Sequence, residues 1–368
     1  MRTLRSTAAA GAILVAAVLG LGGCGGSDTE EAPAGFFGVA PQTTLTEADT
    51  AKMAEGGIAA VRLNVDWSYA QPNKYPWYVW DYFDSQVTAA VSQGLEVLPF
   101  VYGTPAWVSG RPTDLPVGNG KDLKSWQTFL AALVDRYGPK GEFWKLPENV
   151  KSKLPVRPIR TWQIWNESNF SYFATPVSPE QYGKLVDASA STIRDKDPGA
   201  EVMLAGLFGS PKGPPSKAVD ADKFLTELAD HVKKSSFDTI AINPYAADTA
   251  KLEKTMEAFH SAAEKSGLGD KPIEITEIGW GSGTGNAFVK GSESAQAEQL
   301  TSALGYLVGA REQLGLQRVY WFTWKDLSEA ESTCSFCYSA GLFEAGEGLR
   351  PKDAWDAFES LPKSDPSS

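Results

Sequence analysis

The sequence predicts a (β/α)8 barrel folded as a single domain, on three observations. Short apolar runs alternate with amphipathic stretches eight times, the joints from helix back to strand are short and carry glycine, and the joints leaving the strands are long. Strict alternation of strand and helix patterns implies parallel βα units, and eight of them in one chain of this length close on themselves.

The strand candidates are 36–40, 59–65, 96–102, 159–165, 201–207, 239–243, 273–277 and 319–324. They are dense in Val, Ile and aromatic residues and nearly continuous in apolar character, as strands buried on both faces are. Between them, 82–92, 125–137, 179–196, 251–265 and 295–313 carry the helical period. The short returns contain Gly56-Gly57, Gly94, Pro198-Gly199, Gly267-Leu268-Gly269 and Gly315, whereas the departures 103–121, 208–221, 281–292 and 326–348 are long. In such a barrel the strand-to-helix loops build the functional rim. One return, 138–157, is long and rich in Lys and Pro, and is expected to be a surface insertion.

The ends read differently. Arg2 and Arg5 precede an apolar run from Ala8 to Leu21, too short to span a bilayer comfortably, so 1–23 reads as a cleaved export signal. Leu21-Gly22-Gly23-Cys24 resembles a bacterial lipobox, which implies lipid modification of Cys24; an ordinary signal peptide with an incidental cysteine is the alternative. Residues 24–35 have no apolar period and read as a flexible tether, 36–362 as the barrel and 363–368 as a tail. The expected location is therefore outside the cytoplasm, with the membrane touched only through the lipid anchor. The formal net charge is −11 and becomes more acidic once Arg2 and Arg5 are removed. That argues against nucleic acid as a partner.

Two carboxylates carry the chemistry. Glu167 closes the fourth strand in Trp165-Asn166-Glu167, and Glu277 closes the seventh in Thr276-Glu277-Ile278-Gly279-Trp280. Retaining glycoside hydrolysis needs such a pair about 5–5.5 Å apart, one carboxyl protonating the leaving oxygen while the other attacks the anomeric carbon. Asn166 is placed to hydrogen-bond a sugar 2-hydroxyl. Helix capping or ion pairing at a strand end is the plain alternative for either glutamate. A Ser–His–Asp hydrolase does not fit, because there is no Gly-x-Ser-x-Gly elbow and neither His231 nor His260 lies near a strand end. Gly279 to Gly285 lacks both the dinucleotide pattern and a Walker lysine. No metal or organic cofactor is implied.

Taken in order, Val61-Arg62-Leu63, Trp165-Asn166-Glu167, Asn243-Pro244-Tyr245, Thr276-Glu277-Ile278-Gly279-Trp280 and Trp321-Phe322-Thr323-Trp324 resemble the clan A glycoside hydrolases over 37–358. Residues 58–72 and Gly103-Thr104-Pro105-Ala106-Trp107 look most like families 39 and 5. The resemblance implies Glu167 as acid/base, Glu277 as nucleophile, and Arg62, Asn166, Tyr245 and Trp324 around the sugar at the cleavage point. Two positions depart from it: Gln71 stands where relatives often carry Glu, and Asn243 where many carry His.

Trp67, Trp107, Trp280 and Trp324 follow strand ends, where flat rings stack on sugar faces, while Trp162, Trp321 and Trp355 read as core. Tyr245 is expected to hydrogen-bond Glu277. Cys334 and Cys337 read as a local disulfide in an oxidising compartment, with a redox pair, half a metal site or free thiols as alternatives. The expected protein is a monomeric glycosidase acting on a β-linked poly- or oligosaccharide. A non-catalytic glycan- or solute-binding lipoprotein and a transglycosylase using the same residues are the rival readings.

Overall fold

The computed structural model describes residues 30–330, 332 and 334–364. The export signal and Cys24 lie outside the described residues. Eight parallel strands close a barrel in chain order: β1 Phe37–Val39, β2 Ala60–Asp66, β3 Glu96–Tyr102, β4 Thr161–Ile164, β5 Glu201–Phe208, β6 Thr239–Asn243, β7 Ile273–Ile278 and β8 Leu316–Trp321. The seam is closed by β1 lying between β2 and β8, with Val39 opposite Val61 on one side and Trp321 on the other. The helices are α1 Glu47–Glu55, α2 Trp67–Ala70, α3 Asp81–Ser92, α4 Gly120–Tyr137, α5 Pro147–Ser152, α6 Pro179–Lys196, α7 Ala221–Leu228, α8 Thr249–Lys265, α9 Glu293–Gly309, α10 Arg311–Leu314 and α11 Asp353–Glu359.

Side-chain caps start the long helices. Asn119, Ser178, Asp248 and Ser292 each accept a backbone N–H from the first turn of α4, α6, α8 and α9, satisfying a donor that has no partner inside the helix. Thr46 and Asp49 do this reciprocally for α1. The continuous apolar strands are buried as expected: every residue of β6, and six of the eight in β5, is inaccessible.

Two expectations are corrected and a third is refined. The eighth strand ends at Trp321, not Trp324, because the β1 ladder runs out there; the Thr323 N–H goes instead to Ala340 O (3.2 Å) and that of Leu342 to Trp324 O (3.0 Å). Residues 138–157 lie mostly at the surface, as expected, but are pinned at a few points. Phe143 and Trp144 are buried, the Trp144 indole donates to Tyr137 O and Gly138 O, and Asn149 donates to Phe143 O. The end of the expected tether is also fastened. Ala32 is buried, its N–H donates to Pro362 O (2.9 Å), and Ser364 N–H donates to Ala32 O (2.9 Å). The chain thus joins the barrel at the N-terminal end of its strands, opposite the strand-to-helix loops.

An ion pair ties α1 to the segment that follows β8. Asp49 accepts from Lys325 Nζ (2.8 Å) and from the Trp324 indole (2.9 Å), while its other oxygen accepts from Thr46. Burial alone would raise the Asp49 pKa, but the bonds from Lys325, Thr46 and Trp324 outweigh it and hold it below the ordinary value. A depressed carboxyl stabilises the fold at neutral pH and loses that contribution as pH falls through its folded-state pKa. Asp49→Asn should therefore cost about 3–5 kcal/mol in urea unfolding at neutral pH, because it leaves the buried Lys325 without a counter-charge. The gap from the unsubstituted protein should narrow in acid, and equal stability at neutral pH would contradict this account.

Candidate active site

Arg62 is the centre of the C-terminal end of the barrel. It projects inward from the middle of β2, buried, with its guanidinium 3.9 Å from the Phe100 ring centroid. Three of its nitrogens each have a different partner: Nε donates to Gln163 Oε1 (2.7 Å), Nη1 to Glu277 Oε1 (2.6 Å) and Nη2 to Asn166 Oδ1 (2.7 Å). One planar fork thereby orients residues from β4, β7 and the turn after β4.

The two glutamates stand in unequal surroundings. Both oxygens of Glu277 accept a hydrogen bond, Oε1 from Arg62 and Oε2 from the Tyr245 hydroxyl (2.9 Å). Burial, and after it the charges of Glu277 and Glu167, push the Tyr245 pKa far up, so this phenol stays a donor. Glu167 Oε1 accepts from Asn243 Nδ2 (3.0 Å), whose own Oδ1 accepts from Thr276 (2.7 Å). Burial first, and the Glu277 charge second, push the Glu167 pKa up to about 8. Gly206 leaves room for this arrangement, since a Cβ there would collide with both Thr276 Oγ1 and Asn243 Oδ1.

Backbone geometry aims Glu167. Trp165 and Glu167 have φ of 71° and 40°, values that residues with side chains seldom adopt, and such strain collects at functional turns. The strand consequently stops at Ile164, and Asn166 and Glu167 turn into the mouth. Both line a cavity of about 670 Å³ together with Glu277 and Tyr245.

Of the expected residues, Arg62, Asn166, Glu167, Asn243, Tyr245 and Glu277 converge here. The four rim tryptophans do not, which corrects their expected stacking role. Trp67, Trp280 and Trp324 are inaccessible, and none of the four lines the cavity. A buried indole needs an acceptor, and each has found one in the framework: Gln71 Oε1 for Trp67, Ala246 O for Trp280, Asp49 for Trp324 and Gln71 O for Trp107. Phenylalanines and tyrosines wall the cavity instead, among them Tyr102, Phe173, Phe208, Phe322 and Phe336. The Cys334–Cys337 disulfide is present and borders the cavity, next to Phe336, whose ring stacks on Phe322 at 5.9 Å.

Sequence reasoning missed Gln163, Thr276 and Phe336. Gln163, a polar residue in the middle of an apolar strand, was the visible signal; nothing in the sequence pointed to Phe336. Among the described residues, no group of three or more His, Cys, Asp or Glu is arranged to hold a metal ion.

The family model described as "Glycosyl hydrolase catalytic core" matches residues 146–350. A β-xylosidase of Geobacillus stearothermophilus is 23% identical over 204 residues, which are 51% of this chain and 34% of that protein, so the chain spans about a third of that relative's length. A family 39 glycoside hydrolase from the gut symbiont Bacteroides cellulosilyticus WH2 superposes with a TM-score of 0.66 at 17% identity, over 91% of this chain and 64% of that one. A GH5_18 protein from Streptomyces cattleya, crystallised with GlcNAc, superposes with a TM-score of 0.64 at 16% identity, over 89% and 80%. At these identities the structural likenesses show a shared fold.

The raised Glu167 pKa depends on the charge beside it. Glu277→Gln should move the Glu167 midpoint down from about 8, as read by carboxyl titration in difference infrared or carbon-13 NMR spectra. An unmoved midpoint would show that Glu277 does not act on it.

Proposed function

Because the chain belongs to the glycosyl hydrolase catalytic core family, we propose that its barrel mouth hydrolyses a β-linked oligo- or polysaccharide with retention of configuration. Glu277 is the nucleophile and Glu167 the acid/base. The observation that carries this reading is the inequality of the two carboxyls: one cavity holds a Glu with an arginine and a phenol on its oxygens and a Glu that keeps its proton to about pH 8.

In the first step a Glu277 oxygen attacks the anomeric carbon, the bond to the leaving oxygen breaks, and the Glu167 proton goes to that oxygen. Arg62 and Tyr245 fix the attacking carboxylate before substrate arrives, so little reorganisation is needed. Asn166, its carbonyl oxygen held by Arg62, has its amide N–H groups left for a sugar hydroxyl. Once Glu277 is an ester its charge is gone, and with it the second cause of the raised Glu167 pKa. Glu167, now a weaker proton holder, takes a proton from water as that water attacks the anomeric carbon and releases Glu277. The same carboxyl therefore serves as acid and then as base.

Export and anchoring through Cys24 belong to the same proposal. Support comes from the Leu21-Gly22-Gly23-Cys24 junction and from the chain joining the barrel opposite the mouth, which would leave the mouth facing away from the lipid. We read the working unit as a monomer with a carbohydrate as its partner.

Proton NMR of the first-formed sugar anomer tests the mechanism. The product should keep the β configuration of the substrate, and kcat/KM should decline as pH rises past about 8 and Glu167 loses the proton the first step needs. An α anomer as the first product would show inversion and refute the nucleophilic role of Glu277.

A further inference from the structure

The segment after β2 carries Tyr69, Tyr75, Trp77, Tyr78, Trp80 and Tyr82 within 69–82, and four of these rings face solvent: Tyr69 is 59% exposed, Tyr75 71%, Trp77 74% and Tyr82 43%. Large aromatic surface gathered in one exposed place marks a binding face. A hollow of about 400 Å³ lies beside it, walled by Asn64, Asp66, Tyr69, Trp80, Tyr82 and Phe83. Asn64 and Tyr82 also wall the cavity that holds Glu167 and Glu277, so the two spaces share a boundary.

We propose that this hollow, with the exposed rings of the 69–82 segment, is a second carbohydrate-binding region, which takes the continuation of a neutral, β-linked glycan chain reaching out of the catalytic cavity. The proposal rests on the glycosidase reading and adds that the substrate extends beyond the sugars at the cleavage point. The chemistry of the lining selects the occupant. Tyrosine and tryptophan faces cover the C–H faces of sugar rings, while Asn64 and Asp66 supply polar partners for hydroxyls. The acidic Asp66 and the chain's formal charge of −11 disfavour an anionic polymer.

The platform is built in advance. Gln71 accepts the Trp67 indole N–H, donates its own amide N–H to Tyr75 O (3.2 Å), and gives its backbone carbonyl to the Trp107 indole. Val79 N–H donates to Ala70 O (2.8 Å), and the Tyr69 ring meets Tyr82 edge-on at 6.5 Å. An amide is needed at Gln71, because an ionised carboxylate has no proton to give the Tyr75 carbonyl. Two tryptophans expected to touch sugar therefore serve the platform from behind. A held loop loses less freedom on binding than a mobile one.

The test compares the unsubstituted protein with Tyr69→Ala and Trp77→Ala, exposed positions whose truncation leaves the core intact. Nitrophenyl β-glycosides of single sugars serve as short substrates, and β-1,4-linked xylo-, gluco- and manno-oligosaccharides of increasing length as long ones. Affinity electrophoresis through gels containing xylan or glucomannan reads binding without catalysis. The expected result is that kcat/KM rises with chain length, that each variant loses about three- to tenfold on long chains and nothing on nitrophenyl glycosides, and that both migrate more freely through the polymer gel. No dependence on length, or equal losses on short and long substrates, would overturn the proposal. So would unchanged gel migration accompanied by lost self-association or lost binding to lipid vesicles, which would assign the rings to a protein or membrane contact. Retardation that the variants lose, with no glycoside cleaved by any form, would sustain the binding region and refute the hydrolytic reading instead.

Discussion

The site depends on one buried cation. Arg62 sits where the barrel is closed and dry, and an unpaired guanidinium there would be prohibitively costly. Its cost is met by Glu277, Gln163, Asn166 and the face of Phe100. Those contacts also transmit order. Gln163, fixed by Arg62 at one end, donates at the other to Leu204 O on β5 (3.0 Å), so β2, β4, β5 and β7 are linked through a single side-chain network. Partly satisfied polar networks destabilise, whereas complete ones specify one arrangement. Electrostatics thus sets the positions of the glutamates before any sugar arrives.

From that constraint follows the difference between the two carboxyls. Arg62 grips Glu277 directly and only reaches Glu167 through space, where Asn243 is the side-chain donor among the described residues. A charge fixed next to a buried carboxyl keeps the second one protonated, the general means by which paired acids divide their roles. Asn243 suits this role because an amide donates a hydrogen bond without bringing a charge. A histidine at that position would bring a proton that comes and goes near neutral pH.

Much of this was legible beforehand. Strand and helix periods repeat eight times, so closure into a barrel followed from the order of the elements and the lengths of the joints. The glutamates were legible because each ends an apolar strand, and a carboxylate is conspicuous there. Trp67, Trp280 and Trp324 were misjudged for a definite reason: position after a strand end does not determine which way a ring turns, and a buried indole follows its hydrogen-bond acceptor. Glu167 shows the same limit from the other side, since its φ of 40° is a tertiary outcome that residue type disfavours. Phe336 reaches the mouth from a loop far along the chain, beside a disulfide that local spacing did suggest.

The proposed double displacement requires Glu277 to form a bond to the sugar, and trapping that bond tests it most directly. A 2-deoxy-2-fluoro β-glycoside with a good leaving group slows breakdown of the glycosyl-enzyme more than its formation, so the intermediate accumulates. Mass spectrometry of the intact protein should show one added fluorosugar, and peptide sequencing should place it on Glu277. A label on Glu167 or elsewhere, or steady turnover without any covalent adduct, would contradict the account.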